Sequence, residues 1–274
     1  MDYNEIESGR LRQLQLVEIE IMKEIFRICK KNNINCFLIY GTLIGAIRHK
    51  GMIPWDDDID LGMSRNDYEK FIIAAKQDLS DAYILQNYHT EPQCGLIFAK
   101  VRKKGTLMNE KYSAHIKMSQ GIWVDIFILD NISDDLNKRK KEKLKIKLLK
   151  NLYIIKCGYK MPEYMSNWWL PIYLLAKLLL IFVPKQKLID SLDHLLTLHK
   201  DEETLYVDCY GGASIKNVIP RSYIENLIDI EFEDNLYSCF KEYDSYLRGI
   251  YGDYMTPPPV EERQSSHIVK EVSF

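Results

Sequence analysis

The chain has 274 residues, of which 46% are hydrophobic and 28% charged, a balance typical of a folded globular protein and not of a disordered one. Its net charge of −2 gives no overall field that would attract nucleic acid, so we expect no nucleic-acid partner. The six cysteines include no Cys-x-x-Cys pair, which argues against a zinc ribbon and a dense disulfide framework and favours a reducing compartment such as the cytoplasm.

The N-terminal part of the chain is predicted to alternate helices and strands. The first residues are acidic and polar, unlike a signal peptide. Apolar residues at helical spacing predict an amphipathic helix over residues 11–31. An apolar strand is expected at residues 36–40, followed by a turn at Gly41-Thr42 and a helix over residues 43–49.

The next segment, from Trp55 to Asp60, carries four carboxylates. Asp58 and Asp60 are predicted to lie on one face of a strand that ends near Met63, because side chains alternate along a strand. Two adjacent carboxylates need a counter-charge, and their hard oxygen atoms suit Mg²⁺ or Mn²⁺. A solvated acidic loop is the alternative, which the apolar flanks of this run disfavour.

Further elements complete a predicted α/β fold with a mixed sheet and helices on its faces, spanning roughly residues 10–130. Ser64 or Asn66 could cap a helix. Strands are expected at 83–88, 96–102 and 121–129. The last of these contains Asp125, a third candidate for the acid site, because a lone buried carboxylate is costly unless paired or metal-bound. A salt bridge is the alternative role of this residue.

A phosphate-binding role is predicted near the acids. Backbone N–H groups at the start of the helix after Gly41 and Thr42 favour phosphate oxygens, although an ordinary helix start would look the same. Nearby cations could neutralise a diphosphate or be simply solvated. These cations are Arg48, His49, Lys50, Lys100 and Arg102.

The middle of the chain differs in composition. Eight basic residues and one acid lie between Lys138 and Lys150. The segment 168–184, which begins at Trp168-Trp169, is apolar but short for a bilayer span and contains Lys177. We predict a buried or an interfacial helix there, the latter docking on an anionic membrane surface. The predicted parts are a catalytic core at 1–134, a helical insertion at 135–205 and a completing part at 206–274.

The run from Tyr40 to Met63, followed by Arg65 and Asp67-Tyr68, resembles the signature of the LicD family. Residues 121–130 and 246–267 resemble two later islands of the same family, while residues 135–230 have no residue-by-residue match. This family comprises transferases of phosphocholine and related phospho-groups, with fukutin and fukutin-related protein as animal relatives.

The resemblance implies a nucleotidyltransferase-like core, in which a Gly-Ser turn precedes an Asp-x-Asp strand and Thr42 here replaces the serine. It implies a CDP-activated donor, such as CDP-choline or a CDP-alditol. The implied acceptor is a glycan or lipid-linked glycan, whether of teichoic acid, capsule or lipopolysaccharide, reached from the inner face of the membrane.

The mechanism hypothesised on this basis places a divalent metal on Asp58 and Asp60, bridging the diphosphate of the donor. The acceptor hydroxyl attacks phosphorus and CMP leaves. Asp125 accepts the proton or completes a second metal site. Asp57 is a further candidate ligand, and His267 is expected to return to the site.

Three other functions remain open at this point. A nucleotidyltransferase that moves NMP from an NTP would use the same acids and release pyrophosphate. A glycosyltransferase would also use Asp-x-Asp, but normally after a nucleotide-binding unit deeper in the chain. A non-enzymatic scaffold for glycan intermediates at a membrane would bind no metal.

Overall fold

The computed structural model describes residues 8–160, 169–211, 218–263, 267 and 269–274. Its helices are α1 (Ser8–Lys31), α2 (Tyr40–His49), α3 (Arg65–Asp78), α4 (Leu136–Cys157), α5 (Leu170–Leu179), α6 (Lys185–Leu196), α7 (Ser222–Glu225) and α8 (Tyr243–Tyr251). Its strands are β1 (Phe37–Leu38), β2 (Asp60–Ser64), β3 (Tyr83–Gln86), β4 (Ala99–Lys103), β5 (Leu107–Glu110), β6 (Trp123–Ile132), β7 (Tyr206–Asp208), β8 (Ile219–Pro220), β9 (Leu227–Phe232), β10 (Asn235–Phe240) and β11 (Val269–Ser273).

A seven-stranded mixed sheet organises the fold. Its main order is β1-β2-β6-β4-β3, and β7 joins the far end of β6 and then pairs with β8. The pair β2–β6 is parallel and the other pairs are antiparallel. Helices α1 and α3 pack against this sheet. The predicted α/β class, a mixed sheet with helices on its faces, is confirmed.

The first elements differ from the prediction at their boundaries. Helix α1 confirms the helix expected at 11–31. The strand expected at 36–40 is reduced to β1, and α2 begins at Tyr40 instead of residue 43. The reason is the backbone of Tyr40, whose φ of 48° is left-handed and ends the extended conformation there.

The acid strand is also shorter than expected. Strand β2 begins at Asp60, so Asp58 lies in the irregular segment before it. Of the two candidate caps for the next helix, Ser64 is the one used, since its side chain accepts a hydrogen bond from the Asp67 backbone N–H. Strands β3, β4 and β6 confirm the three later strands, shifted by a few residues.

Strand register brings the charged residues of the sheet onto one face. Asp60 of β2 lies opposite Asp125 of β6, and Lys100 of β4 lies opposite the same Asp125. Because side chains alternate along strands, the neighbours Leu61 and Ile126 point to the other face, and both are fully buried. The side chains of Asp60, Lys100 and Asp125, from three neighbouring strands, therefore lie close together on one face of the sheet.

Helices α4, α5 and α6 lie in the middle of the chain, and α4 and α6 share a second hydrophobic cluster with Tyr153 and Leu192 at its centre. The exposed fractions of Leu174, Leu178 and Ile181 are 53%, 57% and 65%. The core-helix alternative for the apolar segment is therefore wrong, although Leu180 beside it is buried.

Within the described residues, no helix has both the length and the apolar character needed to cross a membrane. Trp168, the predicted start of the apolar segment, lies outside the described residues. The predicted boundaries at 134 and 205 stay predictions.

Candidate active site

The acid run and the middle of β6 form a cluster of carboxylates. Oxygen atoms of Asp58, Asp60 and Asp125 all lie within 4.8 Å of one another. A second group, sharing Asp58, adds Asp57 and His267 at the same mutual distance. The five residues come from three separate parts of the chain.

Distant residues hold the acid run in place. The Gln15 side chain of α1 donates to the backbone carbonyls of Ile53 and Asp56, at 3.1 and 2.9 Å. Glu233 accepts from the Met52 backbone N–H at 3.0 Å and pairs with Arg12 of α1. The run is therefore fixed between the first helix and the β9–β10 turn.

The carboxylates of this cluster repel one another. Burial, together with the charges of Asp58 and Asp125, raises the pKa of Asp60 well above its usual value. Burial and the charge of Asp57 also raise the pKa of Asp58, to about 6, although the charge of His267 opposes the increase. A bound cation would remove this repulsion.

Asp125 forms an ion pair with Lys100, yet one of its oxygens accepts no hydrogen bond from the described residues. Lys100 Nζ lies 3.0 Å from Asp125 Oδ1 and 3.3 Å from Oδ2, but only the Oδ2 contact has hydrogen-bond geometry. Oδ1 is buried and accepts no hydrogen bond from any described residue. A buried carboxylate oxygen that accepts no hydrogen bond, on a residue that clusters with Asp58 and Asp60, fits a divalent cation, which prefers carboxylate ligands.

His267 lies against the same acids. Its Nδ1 is 3.4 Å from Asp57 Oδ1 and 3.8 Å from Asp58 Oδ2, and its ring meets the Trp123 ring edge-on at 5.5 Å. Burial alone would lower the pKa of His267, but the hydrogen bond to Asp57 and both carboxylate charges raise it to about 9. The imidazole is therefore protonated at neutral pH in the metal-free protein.

A cavity of about 710 Å³ opens at the cluster. Its wall contains acids, bases, aromatic rings and small residues. The lining residues are Tyr40, Gly41, Asp56, Asp58, Asp60, Leu96, Phe98, Lys100, Glu110, Asp125, Phe127, Gly211, Ile250, Tyr251 and His267.

The predicted phosphate-binding residues divide into two groups. Gly41 and Lys100 line the cavity. Thr42 is buried, and its Oγ1 accepts a hydrogen bond of 2.8 Å from the Asp60 backbone N–H, so the hydroxyl positions the acid strand.

Four predicted cations lie elsewhere. Arg48 donates to the carbonyl of Tyr254 and His49 packs against Trp55. Lys50 is the exposed C-cap of α2. Arg102 is buried and donates to Gln86 and to the carbonyl of Gly121. None of these four lines the cavity.

The aromatic part of the cavity wall was not predicted from the sequence. Tyr40, Phe98, Phe127 and Tyr251 all line the cavity. Apolar residues on strands look alike whether they fill a core or line a site, so periodicity could not identify them.

Glu18 of α1, which is 1% exposed, was not predicted from the sequence either. A signal existed for this residue, because it falls on the same helical stripe as the buried Leu14 and Ile21. Both carboxylate oxygens of Glu18 lack a hydrogen-bond partner among the described residues. Burial and the charge of Asp58 raise the pKa of Glu18 well above the usual value.

Glu18→Gln is expected to flatten the pH dependence of stability in metal-free protein. Because its pKa is raised, Glu18 does not lower the free energy of unfolding at pH values below its unfolded-state pKa. Above that pKa, the free energy of unfolding falls as pH rises towards the folded-state pKa. One such group contributes up to about 1.4 kcal/mol per pH unit. The variant should therefore gain stability over wild type from pH 5 to pH 8, measured by urea unfolding in EDTA.

Glu20→Gln on the same helix is the matched control. The hydrogen bond from Lys103 lowers the pKa of Glu20, so Glu20→Gln should be less stable than wild type by a constant amount across this pH range, which lies above both pKa values of Glu20. An unchanged difference between Glu18→Gln and wild type across this pH range would show that Glu18 is ionised in the folded protein.

The chain is similar to known proteins over the part that contains Asp58, Asp60 and Asp125, and to one of them over most of its length. Residues 33–154 match the family described as LicD/FKTN/FKRP, nucleotidyltransferase domain. Over 273 residues the chain is 30% identical to the lipopolysaccharide cholinephosphotransferase LicD of Haemophilus influenzae, covering 94% of this chain and 96% of that protein. A 48-residue stretch is 46% identical to an uncharacterised protein of Rickettsia prowazekii, covering 18% of each chain. An uncharacterised protein of Rickettsia typhi is equally similar over 48 residues, which are 18% of this chain and 16% of its own.

Proposed function

The chain belongs to the LicD family, as its sequence motifs indicated, and we propose that it transfers phosphocholine or a related phospho-group from a CDP-activated donor to a hydroxyl of a glycan. The acceptor would be a cell-surface glycan or its lipid-linked precursor. The observation that carries the proposal is the cluster of Asp58, Asp60 and Asp125 in a cavity large enough for a nucleotide-linked donor. The name of the Haemophilus relative, a lipopolysaccharide cholinephosphotransferase, supports the reaction class. The core is proposed to be nucleotidyltransferase-like.

Asp58, Asp60 and Asp125 would hold Mg²⁺ or Mn²⁺, and the group Asp57, Asp58 and His267 offers an adjoining position. When bound, such a cation neutralises the charge of the donor phosphates. Without it, the acids and the phosphates would repel one another, and this is why we propose metal dependence.

Proton transfer and the orientation of the reacting groups are carried out by residues of the chain. Asp125 would accept the proton of the acceptor hydroxyl as its oxygen bonds to the phosphorus that carries choline, while the bond from that phosphorus to the CMP oxygen breaks. Lys100 orients the Asp125 carboxylate through the contacts at 3.0 and 3.3 Å. Gly41 gives room to the Asp56 carboxylate, since a Cβ there would lie 2.8 Å from Asp56 Oδ2.

A screen of CDP-linked donors tests the proposal. The full chain is incubated with CDP-choline, CDP-ethanolamine, CDP-glycerol or CDP-ribitol, with a glycan acceptor and with Mg²⁺, Mn²⁺ or EDTA. CMP release that requires both metal and acceptor is expected. Pyrophosphate release from an NTP would instead identify a nucleotidyltransferase, and absence of metal binding in calorimetry would favour a scaffold.

We also propose that the protein contacts the inner membrane face through the exposed apolar surface of α5. Lys156 donates to the carbonyl of Leu180, which ties α4 to this segment. The basic stretch contributes fewer cations than its eight residues suggest, because four of them contact protein groups. Lys140, Lys141, Lys145 and Lys147 are exposed and can meet anionic head groups.

Sedimentation with anionic vesicles at low salt is expected to carry the protein into the pellet, and high salt should release it. Replacing Leu174, Leu178 and Ile181 together by serine should abolish binding without unfolding, because all three are exposed. Leu236→Ser, at an equally exposed apolar residue of β10, is the control and should still bind. Wild-type protein that stays in the supernatant at low salt would contradict the membrane contact.

A further inference from the structure

The two basic side chains of the cavity contact a residue that does not itself line the cavity. The described lining contains five carboxylates, and its bases are Lys100 of β4 and His267 of the C-terminal part. Both contact the side chain of Trp123, the first residue of β6, which is 1% exposed. One buried ring thus touches both positive groups of the site.

Strand register explains why this ring reaches Lys100. In the antiparallel pair of β4 and β6, Arg102 lies opposite Trp123 and Lys100 lies opposite Asp125. Residues two apart on a strand share one face of the sheet, and so do residues directly opposite each other on neighbouring strands. Trp123 therefore lies on the same face as Asp125 and beside the lysine that pairs with it.

The Trp123 ring faces two buried cations. Lys100 Nζ lies over the ring at 3.8 Å from its centroid, and Arg102 Cζ lies over it at 4.8 Å. Lys100 and Arg102 are each 2% exposed, so water does not solvate either charge. The quadrupole of tryptophan attracts a cation above its face, and this attraction is largest where water is excluded. The ring is therefore an important restraint on both cations.

Lys100 depends on the ring more than Arg102 does. Arg102 is fixed by hydrogen bonds of 2.6 Å to Gln86 Oε1 and to the carbonyl of Gly121. Lys100 has three N–H donors, and its one hydrogen bond to a described residue reaches Asp125 Oδ2 at 3.3 Å. Without the ring, Nζ can turn towards Asp125 Oδ1, which lies 3.0 Å away and accepts no hydrogen bond from the described residues.

The indole of Trp123 also meets the imidazole of His267 edge-on. The two ring planes are inclined by 88° with centroids 5.5 Å apart, an arrangement that aromatic pairs favour. His267 Nδ1 lies 3.4 Å from Asp57 Oδ1 and 3.8 Å from Asp58 Oδ2. The imidazole is therefore restrained by the indole as well as by the two carboxylates.

Hydrogen bonding does not explain why a tryptophan stands at this position. Its Nε1 is buried and donates to no acceptor among the described residues. A buried N–H group without an acceptor is unfavourable. What Trp123 contributes is its ring, in contact with Lys100, Arg102 and His267.

We propose that Trp123 is a positioning residue for the phosphotransfer, whose ring holds Lys100 on Asp125 Oδ2 and so keeps Asp125 Oδ1 available to the cation and to the acceptor proton. The same ring restrains His267 beside Asp57 and Asp58. This inference rests on the proposed function of the acid cluster. Trp123 touches no reacting group and acts through its neighbours.

Trp123→Leu and Trp123→Phe test the proposal. Leucine removes the ring, so Lys100 Nζ competes for Asp125 Oδ1, and calorimetry should show Mn²⁺ affinity lower by roughly fivefold to thirtyfold. At saturating Mn²⁺, kcat for CMP release should fall by a similar factor with little change in donor KM. Phenylalanine keeps a ring face and should restore most of both losses.

Phe71→Leu is the matched control for loss of a buried ring. Phe71 of α3 is fully buried and has no ring contact with Lys100, Arg102 or His267 among the described residues. This variant should lower stability but leave Mn²⁺ affinity and the kcat of the folded fraction unchanged. A merely structural role of Trp123 would make Trp123→Leu behave in the same way.

Fluorinated tryptophans at position 123 extend the test to a protein that keeps its packing, even where Trp123→Leu unfolds. Fluorine withdraws electron density from the ring face, so Mn²⁺ affinity and kcat should fall stepwise from tryptophan to monofluoro- and difluorotryptophan. Constant values across this series, or a Trp123→Leu variant that behaves as Phe71→Leu, would overturn the inference, while CMP release by wild type would still support the transferase. Absence of CMP release from every donor would instead refute the proposed function.

Discussion

Asp58→Asn and Asp60→Asn are each expected to lower CMP release by about a thousandfold or more in a protein that still folds. An amide cannot supply the negative charge that holds a divalent cation, and loss of the cation removes several kcal/mol of transition-state stabilisation. Folding should survive, because each change removes one charge from a cluster in which burial and mutual repulsion raise the pKa of Asp60. Thermal stability in EDTA should be equal to or above that of wild type.

The measurement pairs CMP release with melting temperature, with and without Mn²⁺. Wild type should melt higher when Mn²⁺ is added, and both variants should lose this increase. Asp81→Asn, an exposed acid between α3 and β3, is the control and should behave as wild type. Near-normal turnover in either variant, with metal still required, would remove that residue from the ligand set.

Asp125→Asn is expected to lower kcat by about 10²–10⁴-fold with little change in donor KM, as removal of a general base does. The change has a second effect, because it leaves Lys100 buried without its charged partner. Breaking a buried ion pair on one side typically costs about 3–5 kcal/mol. A single variant would therefore confuse catalysis with stability.

The double variant Asp125→Asn/Lys100→Met separates the two effects. It removes both charges, so it should recover most of the lost stability but none of the lost kcat. Single-turnover rates, corrected for the folded fraction from unfolding curves, give the comparison. A double variant as active as wild type would show that Asp125 is a structural partner of Lys100 and no more.

The sequence predicted that Asp58 and Asp60 lie together because the relevant information is local. Asp58 and Asp60 are two residues apart in extended backbone, so they reach the same place whether or not Asp58 belongs to the strand. Asp125 could be assigned to the same site as Asp58 and Asp60, because a lone buried carboxylate in the middle of an apolar strand is unfavourable. Its exact neighbours depend on the parallel pairing of β2 with β6, which spacing alone does not determine.

The predictions for the basic residues were weaker, because these residues were assigned to the site from their closeness in sequence or on one strand. Arg48 follows the acid site's glycine by two helical turns, yet its guanidinium donates to Tyr254, more than 200 residues away. Lys100 and Arg102 alternate on one strand, but only Lys100 lines the cavity. His267 lies beside Asp57 only because the C-terminal part folds back, a contact that no local pattern encodes.

The long-range supports of the acid run also bear on how the protein matures during synthesis. Gln15 is made before the acids, but Glu233 and His267 emerge more than 170 residues after them, and N-terminal parts of a chain generally fold first. A nascent chain can thus form the central strands while its carboxylates still lack their last neighbours. Competence to bind a cation should appear late on the ribosome, so an unfinished chain would have a sheet but no reactive centre.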